Sequence, residues 1–145
     1  MKQDWVVDAS VGVKPYLTEE LSEVAESLFR KAQIGGSSLF VPDLFFNECA
    51  NIFWKHVRRL NIEPVHARRS LRNLTSLILF PISSTDLLLD ALDLALEYNI
   101  TAYDASYAAL SQELKLPLIT ADEKLIGKLA GTGIEVRWLG DLDPW

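Results

Sequence analysis

Leu116-Pro117-Leu118-Ile119-Thr120-Ala121-Asp122 is the stretch whose reading decides the fold. It is a short unbroken apolar run ending in a hydroxyl and an acid. On either side lie helix-patterned segments, Tyr103 to Leu114 and Glu123 to Ala130. A strand without polar alternation is one buried on both faces, as in a parallel sheet covered by helices. Working outward, the pattern repeats: Trp5 to Ala9, Ser38 to Val41, Leu77 to Ile82 and Glu135 to Leu139 read as the other strands. Between them, Thr18 to Ala32 reads as a helix that Thr18 can cap. Its apolar face is Leu21, Val24, Ala25, Leu28, Phe29 and Ala32, and Gly35-Gly36 stops it. Pro42-Asp43 opens a long helix to about Leu60, proline being comfortable in a first turn. Pro64 starts another through Asn73, and Ser83-Ser84-Thr85 offers caps for one ending near Tyr98-Asn99. Strand–helix alternation with crossover-length connections gives an α/β fold. The expectation is one three-layer domain over residues 1–145, its central, mostly parallel five-stranded sheet flanked by helices.

Composition agrees. The chain has 145 residues, 49% of them hydrophobic and 23% charged, enough to build one ordinary core. No run approaches the ~18 apolar residues of a membrane span. Met1-Lys2-Gln3-Asp4-Trp5 places an acid where a signal peptide wants an apolar stretch. One cysteine, Cys49, excludes an internal disulfide, and its apolar helical setting reads as a buried, inert thiol. A reducing cytoplasm is the expected location, without a membrane.

Four acids occupy awkward places. Asp8 closes Trp5-Val6-Val7, Asp122 follows Leu116 to Ile119, Glu48 interrupts an apolar helical stripe, and Asp104 opens a helix of Ala, Tyr and Leu. Burying a carboxylate is costly unless it is paired or holds a cation. Ligands on open α/β sheets bind beyond the carboxyl ends of the strands, near a switch in strand order. Asp8 and Asp122 lie at such ends, and Asp104 and Glu48 lie early in their helices, so all four can approach one edge. Taken singly, Asp8 and Asp122 read as turn or helix caps. Thr101 with Asp104 and Thr120 with Glu123 have capping-box spacing. Glu48 is harder to dismiss, because Leu44, Phe45 and Ile52 flank it on its face while Asn47, Asn51 and Lys55 form a separate polar side. Convergence of the four favours a metal site.

Asp8-Ala9-Ser10-Val11, Pro42-Asp43-Leu44 leading to Glu48, Tyr103-Asp104-Ala105-Ser106-Tyr107-Ala108-Ala109-Leu110, and Pro117 to Asp122 together resemble the PIN-domain nucleases. The likeness is greatest to the VapC-type toxins of prokaryotic toxin–antitoxin pairs. It spans nearly the whole chain in order, and the Tyr-Asp-Ala and Thr-Ala-Asp segments are its most specific parts. The resemblance implies a Mg²⁺- or Mn²⁺-dependent endoribonuclease, usually dimeric, held inactive by a small antitoxin. By matching motif, Asp8, Glu48, Asp104 and Asp122 carry over as the catalytic, metal-binding acids, and Ser10 and Thr120 as supporting hydroxyls.

The residues suit this chemistry on their own terms. A hard cation on oxygen ligands activates water and neutralises phosphoryl charge. Mg²⁺ needs only one or two direct carboxylates, so Asp8 with Asp122 or Asp104 would bind directly and Glu48 would bridge or act through water. One or two ions both fit. Ser10 and Thr120 have no base beside them in the pattern and read as orienting groups.

The net charge of −6 argues against generic nucleic-acid binding. Yet Lys55, Arg58, Arg59, Arg68, Arg69 and Arg72 gather six of the fourteen basic residues in one segment, with His56 and His66 beside them. A solvated helix pair is the default for such a run; a face for phosphate or a partner is the sharper reading. Lys14 reads as flanking the first helix, with a contact to phosphate as the alternative. A phosphatase using Asp8 would want a second Asp where Ser10 stands, and a dinucleotide binder would want more glycine than Gly12 after the first strand. The remaining alternatives are a non-catalytic PIN-like interaction module and a PIN nuclease of RNA processing without an antitoxin.

Overall fold

A computed structural model describes residues 2–143. Five strands form one sheet: β1 (Trp5–Val7), β2 (Leu39–Pro42), β3 (Phe80–Ile82), β4 (Leu118–Thr120) and β5 (Val136–Trp138). Their order is β3-β2-β1-β4-β5 and every neighbouring pair is parallel, so the sheet is wholly rather than mostly parallel. The chain builds outward from β1 to β3 on one side, then crosses back to place β4 on β1's other side. That reversal puts the ends of β1 and β4 at the switch in strand order, where open α/β sheets hold their ligands.

The helices are α1 (Ala9–Gly12), α2 (Ser22–Gln33), α3 (Leu44–Leu60), α4 (Pro64–Thr75), α5 (Ser84–Tyr98), α6 (Ala102–Leu114) and α7 (Glu123–Leu129). Every residue of β1 and β4 is buried, as their unbroken apolar sequences require. Helix α6 crosses β2, β1 and β4, and Ala105, Ala108 and Ala109 let its backbone approach the sheet closely. Residues 105–111 are all buried, which fixes Asp104 and Tyr107 relative to the strand ends.

Several boundaries differ from expectation, each for a local reason. The first strand stops at Val7, because Asp8 caps a helix and Ala9 joins that helix. Pro42 ends β2 beside Ile82 instead of opening a helix; having no N–H to donate, a proline stops the ladder there. Helix α2 begins at Ser22, not Thr18. Leu21 takes a left-handed conformation, φ 71°, and the Ser22 hydroxyl donates to the Leu17 carbonyl at 2.6 Å, closing a turn first. Lys14 reaches Glu19 at 2.8 Å within that turn. The third strand is shorter than Leu77 to Ile82 and the fifth shorter than Glu135 to Leu139. The expected role of Ser83, Ser84 and Thr85 is only to cap α5. Instead Ser84 ties two helices together: its hydroxyl accepts from Leu44 N at 3.0 Å while its N–H donates to Asp43 at 3.0 Å.

One glycine is required by packing. A Cβ on Gly12 would lie 2.5 Å from the Phe45 ring and 3.2 Å from the Cys49 sulfur. Both neighbours are fully buried. Gly12 therefore lets α1 press against α3, which brings Asp8 and Ser10 toward Glu48. Cys49 is buried as expected, and burial pushes its thiol up, away from nucleophilic use.

Candidate active site

Asp8, Glu48, Asp104 and Asp122 line one cleft of about 140 Å³ at the carboxyl edge of the sheet, with Ala9, Ser10, Ile52 and Tyr107. All four acids expected to converge are therefore in one hollow. Asp8 is only 5% exposed. Ser10 Oγ donates to its Oδ1 and Thr120 Oγ1 to its Oδ2, both at 2.5 Å, and Val11 N adds a longer bond of 3.3 Å. The two hydroxyls are themselves oriented, Ser10 by Ala121 N at 2.9 Å and Thr120 by Asp122 N at 3.0 Å. Each hydroxyl thus receives a backbone proton and turns its own toward Asp8. Thr120 lies fully buried behind the cleft, a positioning group rather than a lining one.

Glu48 is half-buried and accepts a hydrogen bond of 2.6 Å from the Tyr107 hydroxyl. Asp104 sits in the first turn of α6, where Thr101 caps its N–H at 3.1 Å. Asp122 caps α7 through Lys124 N at 2.9 Å and Leu125 N at 3.4 Å. The capping readings and the convergence are therefore both true of Asp8 and Asp122. Thr120 does not form a capping box with Glu123; Asp122 caps that helix and frees the threonine for Asp8.

Electrostatics follow the burial. Desolvation pushes the Asp8 carboxyl up to about 7, against the opposing pull of its hydrogen bonds from Ser10, Thr120 and Val11, with the charge of Asp104 adding to the rise. Burial also raises Glu48, opposed by its Tyr107 hydrogen bond and assisted by Asp104. Asp104 is raised by burial and by the Asp122 charge, while Thr101 and Lys128 pull it down. Among the described residues none of the four acids is in a salt bridge. Four hard oxygen donors, crowded and unneutralised, have the chemistry of a Mg²⁺ or Mn²⁺ site. Among the described residues no three acid, His or Cys side chains are already gathered as a coordinating group, so the carboxylates share a cleft, not a finished cage. That still fits Mg²⁺, which keeps several waters and takes only one or two direct carboxylates.

Tyr107 was missed by sequence reasoning. Its signal is its place three residues after Asp104, on the same helix face, where a phenol among alanines needs a partner for its hydroxyl. Of the basic segment, Lys55 alone borders the site region, in an adjoining groove. Arg58, Arg59, Arg68, Arg69 and Arg72 are exposed along the end of α3 and on α4, and none lines the cleft. His56 turns its Nδ1 to the Ile52 carbonyl at 2.9 Å.

The chain is similar to known proteins in sequence and in fold. Ribonuclease VapC3 of Pyrobaculum aerophilum is 38% identical over 125 residues, covering 85% of this chain and 92% of that protein. Exonuclease VapC9 of the same organism is 33% identical over 101 residues, covering 70% and 74%. The crystal structure of PAE2754 from Pyrobaculum aerophilum superposes with a TM-score of 0.69 at 24% identity, covering 97% of this chain and 93% of that one. A toxin–antitoxin complex from Klebsiella pneumoniae superposes at 0.60 with 17% identity, covering 97% of each chain. At these identities the two structures speak to the fold. The model of the PIN domain matches residues 5–130, from the first strand through the helix that Asp122 caps, and the chain belongs to the PIN domain family.

Proposed function

We propose that this chain is a Mg²⁺- or Mn²⁺-dependent endoribonuclease and the toxin of a toxin–antitoxin pair. The observation that carries this reading is the convergence of four carboxylates, in no ion pair among the described residues, at the switch in strand order, one of them buried under two oriented hydroxyls. The ribonuclease relative and the toxin–antitoxin structural neighbour support the substrate class and the kind of partner.

Asp8, Glu48, Asp104 and Asp122 would hold the ion. Bound there, it supplies an activated water and neutralises charge on the phosphoryl oxygens. Ser10 and Thr120 fix both oxygens of Asp8, and Tyr107 aims one oxygen of Glu48. Attack by water leaves a 5′-phosphate and a 3′-hydroxyl, whereas attack by the ribose 2′-hydroxyl would leave a cyclic phosphate.

A homodimer in the cytoplasm completes the reading. Among the described residues no helix is long and apolar enough to cross a membrane. Helix α5 packs on α6 and buries Leu87, Ala91 and Leu94, while Leu88, Leu89, Leu92 and Leu96 stay exposed, a stripe that a second chain would cover.

Purified protein incubated with circular single-stranded RNA and Mg²⁺ or Mn²⁺ tests the activity. Cutting the circle marks an endonuclease, and chelator should stop it. The ends should be substrates for a ligase that requires 5′-phosphate. Chelator-resistant cleavage leaving cyclic phosphate would overturn the mechanism. Metal binding without cleavage of any cellular RNA would favour the non-catalytic module. Cleavage by a protein that no small neighbour-encoded protein inhibits would favour RNA processing without an antitoxin.

A further inference from the structure

Beside the acid cleft, and sharing Glu48 and Ile52 with it, a second groove of about 390 Å³ lies between α3 and the first turn of α6. One wall carries Asn47, Asn51 and Lys55, three polar side chains four residues apart on one face of α3. Tyr103 lines the groove from α6; it is 63% exposed and immediately precedes Asp104. The fold does not call for these residues. Asparagine is a poor choice inside a helix, because its amide competes with the backbone, and α3 holds two of them at exposed positions. Among the described residues no side-chain hydrogen bond or ion pair engages Asn47, Asn51, Lys55 or Tyr103. An exposed ring, two free amides and a free ammonium therefore face one hollow.

These are the groups that bind an unpaired nucleotide: a flat ring for a base to stack on, amides for its edge, and a cation for its phosphate. Lys55 is the only Lys or Arg among the described residues lining either hollow, in a chain of net charge −6. We infer that the groove is a nucleotide subsite for single-stranded RNA, adjoining the acid cleft across their shared wall at Glu48. Tyr103 stacks on the base, Asn47 and Asn51 face its hydrogen-bonding edge, and Lys55 meets the neighbouring phosphate. The inference rests on the nuclease reading for the identity of the strand. It adds that base recognition is local, on one face of α3, and that paired RNA is excluded because its bases are already stacked.

The test is binding of a short fluorescein-labelled oligoadenylate, followed by anisotropy with Mg²⁺ in an Asp122→Asn background so that no strand is cut. Tyr103→Ala should weaken binding about 5- to 150-fold, the range of base–aromatic stacking, and Tyr103→Phe should restore it. Lys55→Ala should lower the slope of log affinity against log salt by about 0.7, the contribution of one phosphate on a single strand. Asn51→Ala should leave that slope alone and change the ranking of oligoadenylate, oligouridylate and oligocytidylate. With an otherwise native chain, Tyr103→Ala should raise KM far more than it lowers kcat. If RNA is cut while Tyr103→Ala and Lys55→Ala leave affinity and KM unchanged, the groove inference fails and the nuclease reading stands. If the substitutions weaken binding as expected but no RNA is ever cut, the groove survives and the nuclease reading falls. No binding of any of the oligonucleotides, or a loss confined to a protein partner, overturns the groove as an RNA subsite.

Discussion

The ends of β1 and β4 are built alike and carry different loads. Each strand stops at an aspartate that caps the helix behind it, Asp8 over α1 and Asp122 over α7. Asp122 stands half-buried at the rim, and both of its donors are backbone N–H groups. Asp8 is buried, takes two side-chain hydroxyls as well as its capping N–H, and is still pushed up to about 7. A cap needs one acceptor oxygen. The second oxygen of Asp8, with a threonine brought from β4 to hold it, has no helix to serve. That difference separates an acid whose contacts within the protein are those of a cap from one held by more than a cap requires.

The largest expected effect breaks the site outright. Asp8→Asn should reduce metal-dependent cleavage about a thousandfold, since several kcal/mol of transition-state stabilisation go with the ion. Gel-resolved initial rates on one RNA, at saturating Mg²⁺, measure it. A loss of only a few fold would mean that Asp8 is a cap and nothing more. Asp104→Asn should act alike, because burial and the Asp122 charge mark it as a member of the same crowded set.

The next effect is on stability, and its sign is fixed. Asp8 has a folded-state pKa near 7 against an ordinary 3.8, so between those values the folded chain keeps a proton that the unfolded chain loses. Stability of the metal-free protein should therefore be greatest below about pH 4 as far as this group is concerned, and fall as pH rises to about 7. A shift of this size corresponds to at most about 4 kcal/mol, and the upward shifts of Glu48 and Asp104 act in the same direction. Chelator-treated protein, melted at a series of pH values, should show this decline, and Asp8→Asn should flatten it. Adding Mg²⁺ above pH 7 should recover the lost stability by binding the folded state alone. A metal-free stability that rises between pH 4 and 7 would show that these carboxyls are held as favourable anions.

Tyr107→Phe removes the hydroxyl that orients Glu48 while keeping the ring in the core. Loss of a group that orients a metal-binding carboxylate costs about 10- to 100-fold in metal affinity. Mn²⁺ titration by calorimetry reads that change without relying on turnover. Unchanged affinity would remove Glu48 from the ion's surroundings and leave the cation to the two strand-end acids with Asp104.

How much of this was legible depends on the distance over which each signal acts. The strands were readable because β1 and β4 are buried on both faces, which forbids polar alternation in their sequences. The acids were readable because Asp8 and Asp122 follow those runs directly, and because Glu48 breaks a stripe set by Leu44, Phe45 and Ile52. Helix α1 was not, since four residues are too few for a 3.6-residue period and its start is set by the Asp8 cap. The onset of α2 depends on the left-handed turn at Leu21, which no propensity of leucine announces. Tyr107 was hidden because a phenol within an apolar helix reads as core, and its partner lies fifty-nine residues away on α3. The arginines after Lys55 gave a charge pattern but no direction: Arg58 and Arg59 lie exposed on the last turn of α3, and Arg68, Arg69 and Arg72 lie on α4, while Lys55 lines the groove that adjoins the cleft.

The smallest effect sharpens the comparison at the other strand end. In metal-free protein, Asp122→Asn should leave stability within about 0.5 kcal/mol, because asparagine caps a helix about as well as aspartate. The part lost is the attraction of a carboxylate for the positive helix terminus, typically about 0.3–1 kcal/mol at low salt, offset by relief of repulsion with Asp104. Asp122→Ala should cost about 1 kcal/mol, since the N–H groups of Lys124 and Leu125 then lose their acceptor. Both substitutions should still impair cleavage. Denaturant unfolding of the two variants beside Asp8→Asn resolves the contrast: Asp122 should register as a cap whose charge is needed only for activity, and Asp8 as an acid whose charge destabilises the empty fold. Equal stability losses for Asp122→Asn and Asp122→Ala would show that the charge itself holds α7, and the two strand ends would then differ in sign as well as in burden.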